Sequence, residues 1–459
     1  MIGRVVSRGT AQRRALAGGL LVAVVALAPT LTTAQAIGAV SGESGQQTYP
    51  IDLPTALRLV QAQNLDVKIA RERLNEAKAN HAGAIAKFLP WISAGYAFRR
   101  HEGRTQAVDG SVLDVDKQSI AVGPTITAQI DIGEAIFSSL AARQAVTASA
   151  SSLIAQQEDS TLSAASNYFD LLKAKAVVDA TQDALSTSEQ YQQQIGGAVA
   201  AGIAFKGDEL RVQTQTERYR VSLTQARQQQ RAAAAKLAQV LHLDPLVELV
   251  PQDSDLVPIN IMDATATQEG LVKQALAVRP ELKQSEAQVS AARSAKNSTI
   301  YGPLIPSLGV QAFLGEFGGG RGDAGGNFGN SKDYYLGLSW RIGPGGLFDF
   351  SRINASKARL NTAELNAEKL TDEVKRQVVE SYSRVMSLQS QMGATRQSLT
   401  TATETLRLTR DRKQLGVGAV LEDIQAQQEL ARARVDYLSA IVEFDKAQYE
   451  LNKALGAAR

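Results

Sequence analysis

The sequence predicts a duplicated membrane protein of mixed helical and β class, each half running helix, strand, strand, long helix, helix. Three observations predict it: an export-type leader on a chain with no second long apolar stretch, two proline-free stretches that align with each other, and four short period-2 segments placed symmetrically before them. At 459 residues, 44% hydrophobic and 21% charged, the chain could fill two or three ordinary domains or one elongated repeat protein. The absence of Cys excludes disulfides, thiolate zinc sites, iron–sulfur clusters, a cysteine nucleophile and a lipidated N-terminal Cys. His81, His101 and His242 are scattered and offer little to a histidine-based active site.

Residues 1–36 read as a signal peptide. Arg4, Arg8, Arg13 and Arg14 precede an apolar run from Ala15 to Ala28, and Ala34-Gln35-Ala36 is a small-x-small cleavage site. The run is too short to span a bilayer as a helix. The leader holds four Arg and no acid, so the formal charge of +3 becomes +3 − 4 = −1 after cleavage, and a nucleic-acid partner loses its support. The mature chain is expected to leave the cytoplasm. Residues 37–52 read as a linker.

Next come two repeats, 53–245 and 268–456, joined by a linker at 246–267. No proline falls in 125–244 or after 344, and both stretches are rich in Ala, Gln, Leu, Glu, Lys and Arg. Residues 134–195 lack both Gly and Pro, so one continuous helix there would reach about 90 Å. At an offset of 214, Tyr168 matches Tyr382, Gly202 matches Gly416, Arg220-Val221 matches Arg434-Val435, Leu237 matches Leu451 and Leu241 matches Leu455. Upstream the offset is 215, pairing Asp66 with Glu281, and Pro90 meets Pro306 after a one-residue slip. Chance likeness between Ala-rich helices does not extend to prolines, strands and turn glycines, so an internal duplication follows.

Strands are expected at about 91–101, 119–131, 307–315 and 334–342. Ile126, Ala128 and Ile130 alternate with Thr125, Thr127, Gln129 and Asp131, and Leu336, Leu338, Trp340 and Ile342 alternate with Gly337, Ser339 and Arg341. Such alternation suits a half-buried soluble sheet or a membrane barrel. The export signal and the lack of a transmembrane helix favour the barrel, with the polar, Gly-rich segments 103–118 and 315–333 as its outer loops. The polar face, including Asp131 and Arg341, would line the lumen. Trp91 and Trp340 would anchor the periplasmic interface, with core packing as the plainer alternative. Four strands cannot close a barrel, since open edges in lipid leave backbone groups unpaired at several kcal/mol each. Two, three or four copies would give 8, 12 or 16 strands, and composition does not choose among them.

The last helix carries two apolar seams. One runs Ile424, Ala431, Val435, Leu438, Val442, Tyr449, and the other Leu430, Tyr437, Ile441, Phe444, Leu451, Leu455. A helix in the wall of a cylinder needs a seam on each side, whereas a plain hairpin needs one. A four-helix bundle with a broad core is the plainer reading of the same pattern.

From Leu53 to Gly456 the chain resembles the TolC-like outer-membrane efflux family. The resemblance is carried by Asn64-Leu65-Asp66 through Pro90, by Arg279-Pro280-Glu281-Leu282 through Pro306, and by Gly416-Val417-Gly418-Ala419-Val420-Leu421-Glu422-Asp423. It implies a homotrimer with a 12-stranded barrel in outer-membrane lipid and a 12-helix periplasmic α-barrel, acting as a passive duct. The implied partners are a periplasmic adaptor (membrane fusion) protein and an inner-membrane pump, in efflux or type I secretion. By the same resemblance, Gly202-Ile203-Ala204 and Gly416-Val417-Gly418 form adaptor-contacting tips, although glycines there also simply end helices. Glu422 matches the first of two gate acids, Gln425 replaces the second, Asp423 adds an acid nearby, and Asp208 and Glu209 hold the equivalent place in the first repeat. A ring of such carboxylates would repel anions and attract cations, while acids at a helix start also serve as ordinary dipole partners. Gly418 occupies the position of the family's basic residue, which removes the expected salt-bridge latch at this turn.

Gly320-Arg321-Gly322-Asp323-Ala324-Gly325 fits a dinucleotide-loop pattern, but no amphipathic helix follows, so it reads as a surface loop. No nucleophile–base set, paired carboxylates or metal-ligand spacing is present, which argues against an exported hydrolase, any cofactor and any resident metal. The main alternative to a duct is a soluble periplasmic coiled-coil adaptor or scaffold, which would show one helical hairpin and a lipoyl-like or β-barrel domain.

Overall fold

The computed structural model describes residues 48–252, 256–261, 267–322, 326–414 and 420–457. The leader and most of the first linker lie outside them. A short strand β1 (Thr48–Ile51) leads into α1 (Leu53–Gln63) and α2 (Leu65–Ala86). Then follow β2 (Trp91–Gln106), β3 (Val112–Ile130), the long α3 (Ile132–Ala200), α4 (Lys206–Leu241) and β4 (Glu248–Pro251). The second half repeats the order with α5 (Gln268–Val278), α6 (Pro280–Tyr301), β5 (Ser307–Arg321), β6 (Gly329–Ser339), α7 (Phe350–Gln414) and α8 (Val420–Ala454).

Helix α3 is continuous for 69 residues, about 100 Å at 1.5 Å per residue. The helix expected before each strand pair is instead broken once, at matching places. Asn64 and Arg279 adopt nearly identical backbone angles, φ −56°, ψ 131° and φ −55°, ψ 129°. The two copies fix that break with different chemistry. Asn64 Oδ1 accepts from the amides of Asp66 and Val67, capping α2, while its Nδ2 donates to the Val240 carbonyl 2.9 Å away. In the second copy Pro280 opens the helix, and the buried Arg279 guanidinium donates to Glu281 and Gln377.

Segments 37–52 and 246–267 were expected to be linkers, yet they carry β1 and β4, which pair in parallel from Thr48↔Glu248 to Ile51↔Pro251. Four-residue strands with Pro at two of eight positions leave no alternation to read in the sequence.

The main sheet has the order β2-β3-β5-β6, antiparallel throughout, with β2 and β6 at its edges. Its strands run farther than 91–101, 119–131 and 307–315: pairing extends to Gln106↔Val112 in one hairpin and to Phe317↔Gly329 in the other. The expected loops 103–118 and 315–333 are therefore mostly strand. Apolar alternation marks only the part of a strand with one apolar face, while the hydrogen-bond ladder continues where both faces are polar. At the other end β6 stops at Ser339, short of 342, and Ile342 bridges to Leu347 in a tight Gly-Pro-Gly-Gly turn.

Two cores follow the duplication. Ile51, Val60, Tyr168, Leu171, Leu237, Leu241 and Leu249 pack together in the first half, and Leu271, Val374, Val378, Phe444, Leu451 and Leu455 in the second. The paired residues Leu237/Leu451 and Leu241/Leu455 occupy equivalent cores. Both seams of α8 are used. Val442 and Tyr449 join the first core, Ile424 joins Tyr191, Ile195 and Val212, and Ala431 joins Leu185, Tyr219 and Leu223, so this seam packs on α3 and α4. Phe444, Leu451 and Leu455 pack against α7. Helix α8 thus has a neighbour on each side.

Candidate functional site

At the end of the helices away from the sheet, α3 closes with Gly202 at φ 75°, a left-handed backbone that favours Gly. The amides of Gly202 and Ile203 bond back to the carbonyls of Val199 and Ala198. This glycine ends its helix, as the plainer reading held, and the turn also projects apolar surface: Ile203 is 83% and Phe205 73% exposed. Phe205, which the sequence reading did not single out, lays its ring over Gly207, where an added Cβ would lie 2.3 Å from the ring. The matching turn, Gly416-Val417-Gly418, lies outside the described residues.

The three expected gate acids are split between two settings. Asp423 is buried: Oδ2 accepts from Gln427 at 3.2 Å, and the group faces the Tyr191 hydroxyl on α3. Burial, then the charge of Asp423, then a hydrogen bond to it and finally the charge of Asp208 push the Tyr191 phenol pKa upward. Tyr191 therefore stays a neutral donor held between acids from α8 and α4. Asp208 itself pairs with Arg211 at 3.1 Å. Glu422 stands apart, about half exposed, with Arg412 of α7 3.5 Å away. An ion pair thus exists at this turn despite Gly418, supplied from six positions upstream on the other helix. Arg410, also on α7, lines the same open cleft as Tyr191, Gln194 and Asp423.

The register divides the sheet into two faces. Ile92↔Ile126↔Ala312↔Tyr334 and Ala128↔Val310↔Leu336 lie on the apolar side. Trp91 pairs with Thr127 and so lies on the opposite, polar face; it lines an open cleft with Gln129 and Asp131 rather than joining Ile92. The expected interfacial anchor thus lies on the face opposite the apolar one, a parity visible in the sequence, because the apolar positions of this strand are the even ones. Trp340 follows β6, 55% exposed, with its indole N–H donating to the Leu304 carbonyl at 3.3 Å. Asp131, at the start of α3, accepts from Ser307 Oγ. Asp131 and Arg341 line one small cleft with Glu134, Ser307, Ser339 and Arg352 where sheet meets helices.

No helix among the described residues is long and apolar enough to cross a membrane. The profile of the Outer membrane efflux protein family matches the chain twice, over residues 56–241 and 271–457. The chain belongs to that family. It is 23% identical over 421 residues to the outer membrane efflux protein BepC of Brucella suis, covering 90% of this chain and 87% of that one. Its fold is similar to a membrane protein from Pseudomonas aeruginosa (TM-score 0.75, 19% identity, 88% and 93% of the two chains covered). It is also similar to the CmeC outer membrane channel of Campylobacter jejuni (TM-score 0.75, 15% identity, 88% and 86% covered). The open-state MtrE channel of Neisseria gonorrhoeae aligns with a TM-score of 0.73 at 19% identity, over 88% and 89%. This family member is therefore an outer-membrane efflux channel protein with a periplasmic helical portion, not an enzyme. The soluble adaptor reading is not favoured, and the two hairpins with symmetric strand pairs do not fit its single hairpin.

Proposed function

We propose that three copies of this chain assemble into one exit duct, a 12-stranded barrel continued by 12 helices. In this reading the duct conducts substrates passively from a periplasmic adaptor and inner-membrane pump to the exterior. The observation that carries the reading is the four-stranded sheet with one apolar face, one polar face and two edges, β2 and β6, that pair with no other strand among the described residues. Pairing β2 of one copy with β6 of the next removes the open edges that lipid does not tolerate. On β3 the apolar run from Ile120 to Ile130 covers about 34 Å along the strand, or about 25 Å of bilayer at a 40° tilt. On β5 and β6 it gives way to Glu316, opposite Val122, and Lys332, opposite Leu314.

The tip fits the same assignment. Ile203 and Phe205 offer exposed apolar contact for the adaptor beside Gly202. Asp423 with Tyr191 binds α8 to α3, Gln428 with Gln215 binds α8 to α4, and Glu422 with Arg412 binds α8 to α7, so the entrance is held closed by polar contacts that separate when the helices move apart. Efflux and type I secretion both use such a duct.

The test is reconstitution in planar bilayers. The purified, detergent-extracted protein should form pores, and Glu422→Ala with Asp423→Ala should raise single-channel conductance severalfold and weaken cation preference. Pores whose conductance and selectivity are unchanged by that pair would remove these residues from the gate, and failure of the wild type to form pores would end the duct reading.

A further inference from the structure

Beyond the apolar band, the sheet sorts its charges by face. The register sets His101, Lys117 and Arg321 side by side on three adjacent strands, on the polar face, with Arg99 one step below beside Ser119 and Gly319. The acids at this level, Glu102, Asp114 and Asp116, all fall on the opposite face, where Glu102 and Asp116 pair with Arg100 at 2.5 and 3.4 Å. Compensation was one residue away and is not used. Among the described residues none of Arg99, His101, Lys117 and Arg321 makes an ion pair, and the shielded Nε2 of His101 has no hydrogen-bond partner. Like charges directly opposite each other across strands destabilise a sheet, so Lys117 opposite Arg321 is an arrangement that folding alone disfavours.

We propose that this rung and Arg99 form a cationic collar at the outer mouth of the channel that binds small multivalent anions, carboxylates or phosphates, in the lumen. The proposal rests on the duct reading, in which the polar face lines the passage. Arg99, Lys117 and Arg321, three cations per chain, become nine in three copies, facing one another across a water-filled ring where the field adds rather than cancels, with His101 beside them as a further hydrogen-bonding group. Arg supplies paired donors that match carboxylate and phosphate oxygens, and Lys adds a point charge. A neighbouring lipid headgroup is the less suitable occupant, because it would meet the opposite face, where Arg100 is already neutralised.

The probe is inorganic triphosphate, titrated calorimetrically into the detergent-solubilised full chain. The wild type should bind it, with affinity falling as salt rises. Lys117→Gln with Arg321→Gln should weaken binding about tenfold or more, Lys117→Arg should retain it, and Arg100→Gln on the opposite face should leave it unchanged. In bilayers, triphosphate added on the outer side should reduce current through the wild type and not through the double variant. No binding by the wild type, equal binding by the double variant, or an equal loss in Arg100→Gln would overturn the collar. Bilayer recording separates the two readings: absence of pores refutes the passage, while the titration still decides whether these four residues hold the anion.

Discussion

Single residues set the clearest chemical expectations. Asp445 on α8 is buried and accepts the Ile259 amide at 2.8 Å, and Gln448 accepts that of Ile261, so the segment after β4 is strapped across α8. Burial pushes the Asp445 carboxyl from 3.8 up to about 7, with the Ile259 bond opposing. A raised folded-state pKa favours the protonated form, so its stabilising contribution is full below pH 4 and is lost as pH rises through 7. Asp445→Asn keeps an acceptor for Ile259 without the charge. Thermal melts should then show the variant more stable than wild type at pH 8, by about 4 kcal/mol at most, with the gap shrinking below pH 7 and closing only near pH 4. A gap that widens on acidification would contradict the assigned cause. Tyr191 acts at the same scale: removing its hydroxyl in Tyr191→Phe leaves Asp423 buried with only Gln427, a loss of about 1–3 kcal/mol. Hydrogen exchange at the start of α8 should rise.

At the scale of elements, close backbone approach decides what the junctions tolerate. Helix α3 begins against the turn at Gly302, and a Cβ on Gly133 would lie 2.2 Å from the Gly302 carbonyl oxygen. Gly133→Ala should therefore lower the thermal midpoint through a loss of about 1–3 kcal/mol, and Gly196→Ala, which meets nothing within 4 Å, should not. On the apolar face of β6, Leu338→Lys should cost about 2–4 kcal/mol at mid-bilayer, read as reduced yield of folded protein in the membrane. The neighbouring Gly337 and Gly309 lie under the Tyr335 ring on the polar face, so alternate positions of one strand are expected to answer to lipid and to water.

For the whole molecule, the expectation is closure by identical copies. The chain has no Cys, so paired cysteines placed along β2 and β6, such as Ala94 with Leu336, report only designed contacts. Oxidised membranes should give covalent dimers and trimers and stop there. A ladder continuing past three, or none at any register tested along the two edges, would show that the sheets do not close as a threefold barrel. The ion pairs Lys446–Asp170 and Lys453–Asp159 already tie α8 to α3 within one copy, so each copy supplies a stiff wall segment and leaves its edges for assembly.

By itself the sequence determined the repeat, the long proline-free helices, the alternating strands, the glycine that ends α3 and the two seams of α8. These are local periodicities, and a period of two or of three and four records which face is apolar without reference to any distant partner. Tertiary structure alone decided the breaks at Asn64 and Arg279, the β1–β4 pairing across two hundred residues, the length of the outer hairpins, the burial of Asp423 beneath Tyr191, and the pairing of Glu422 with Arg412. It also placed His101, Lys117 and Arg321 on one rung. Each of these depends on register or packing between segments far apart in the chain, and contact between such segments is fixed only when the backbone hydrogen bonds and the two cores form together.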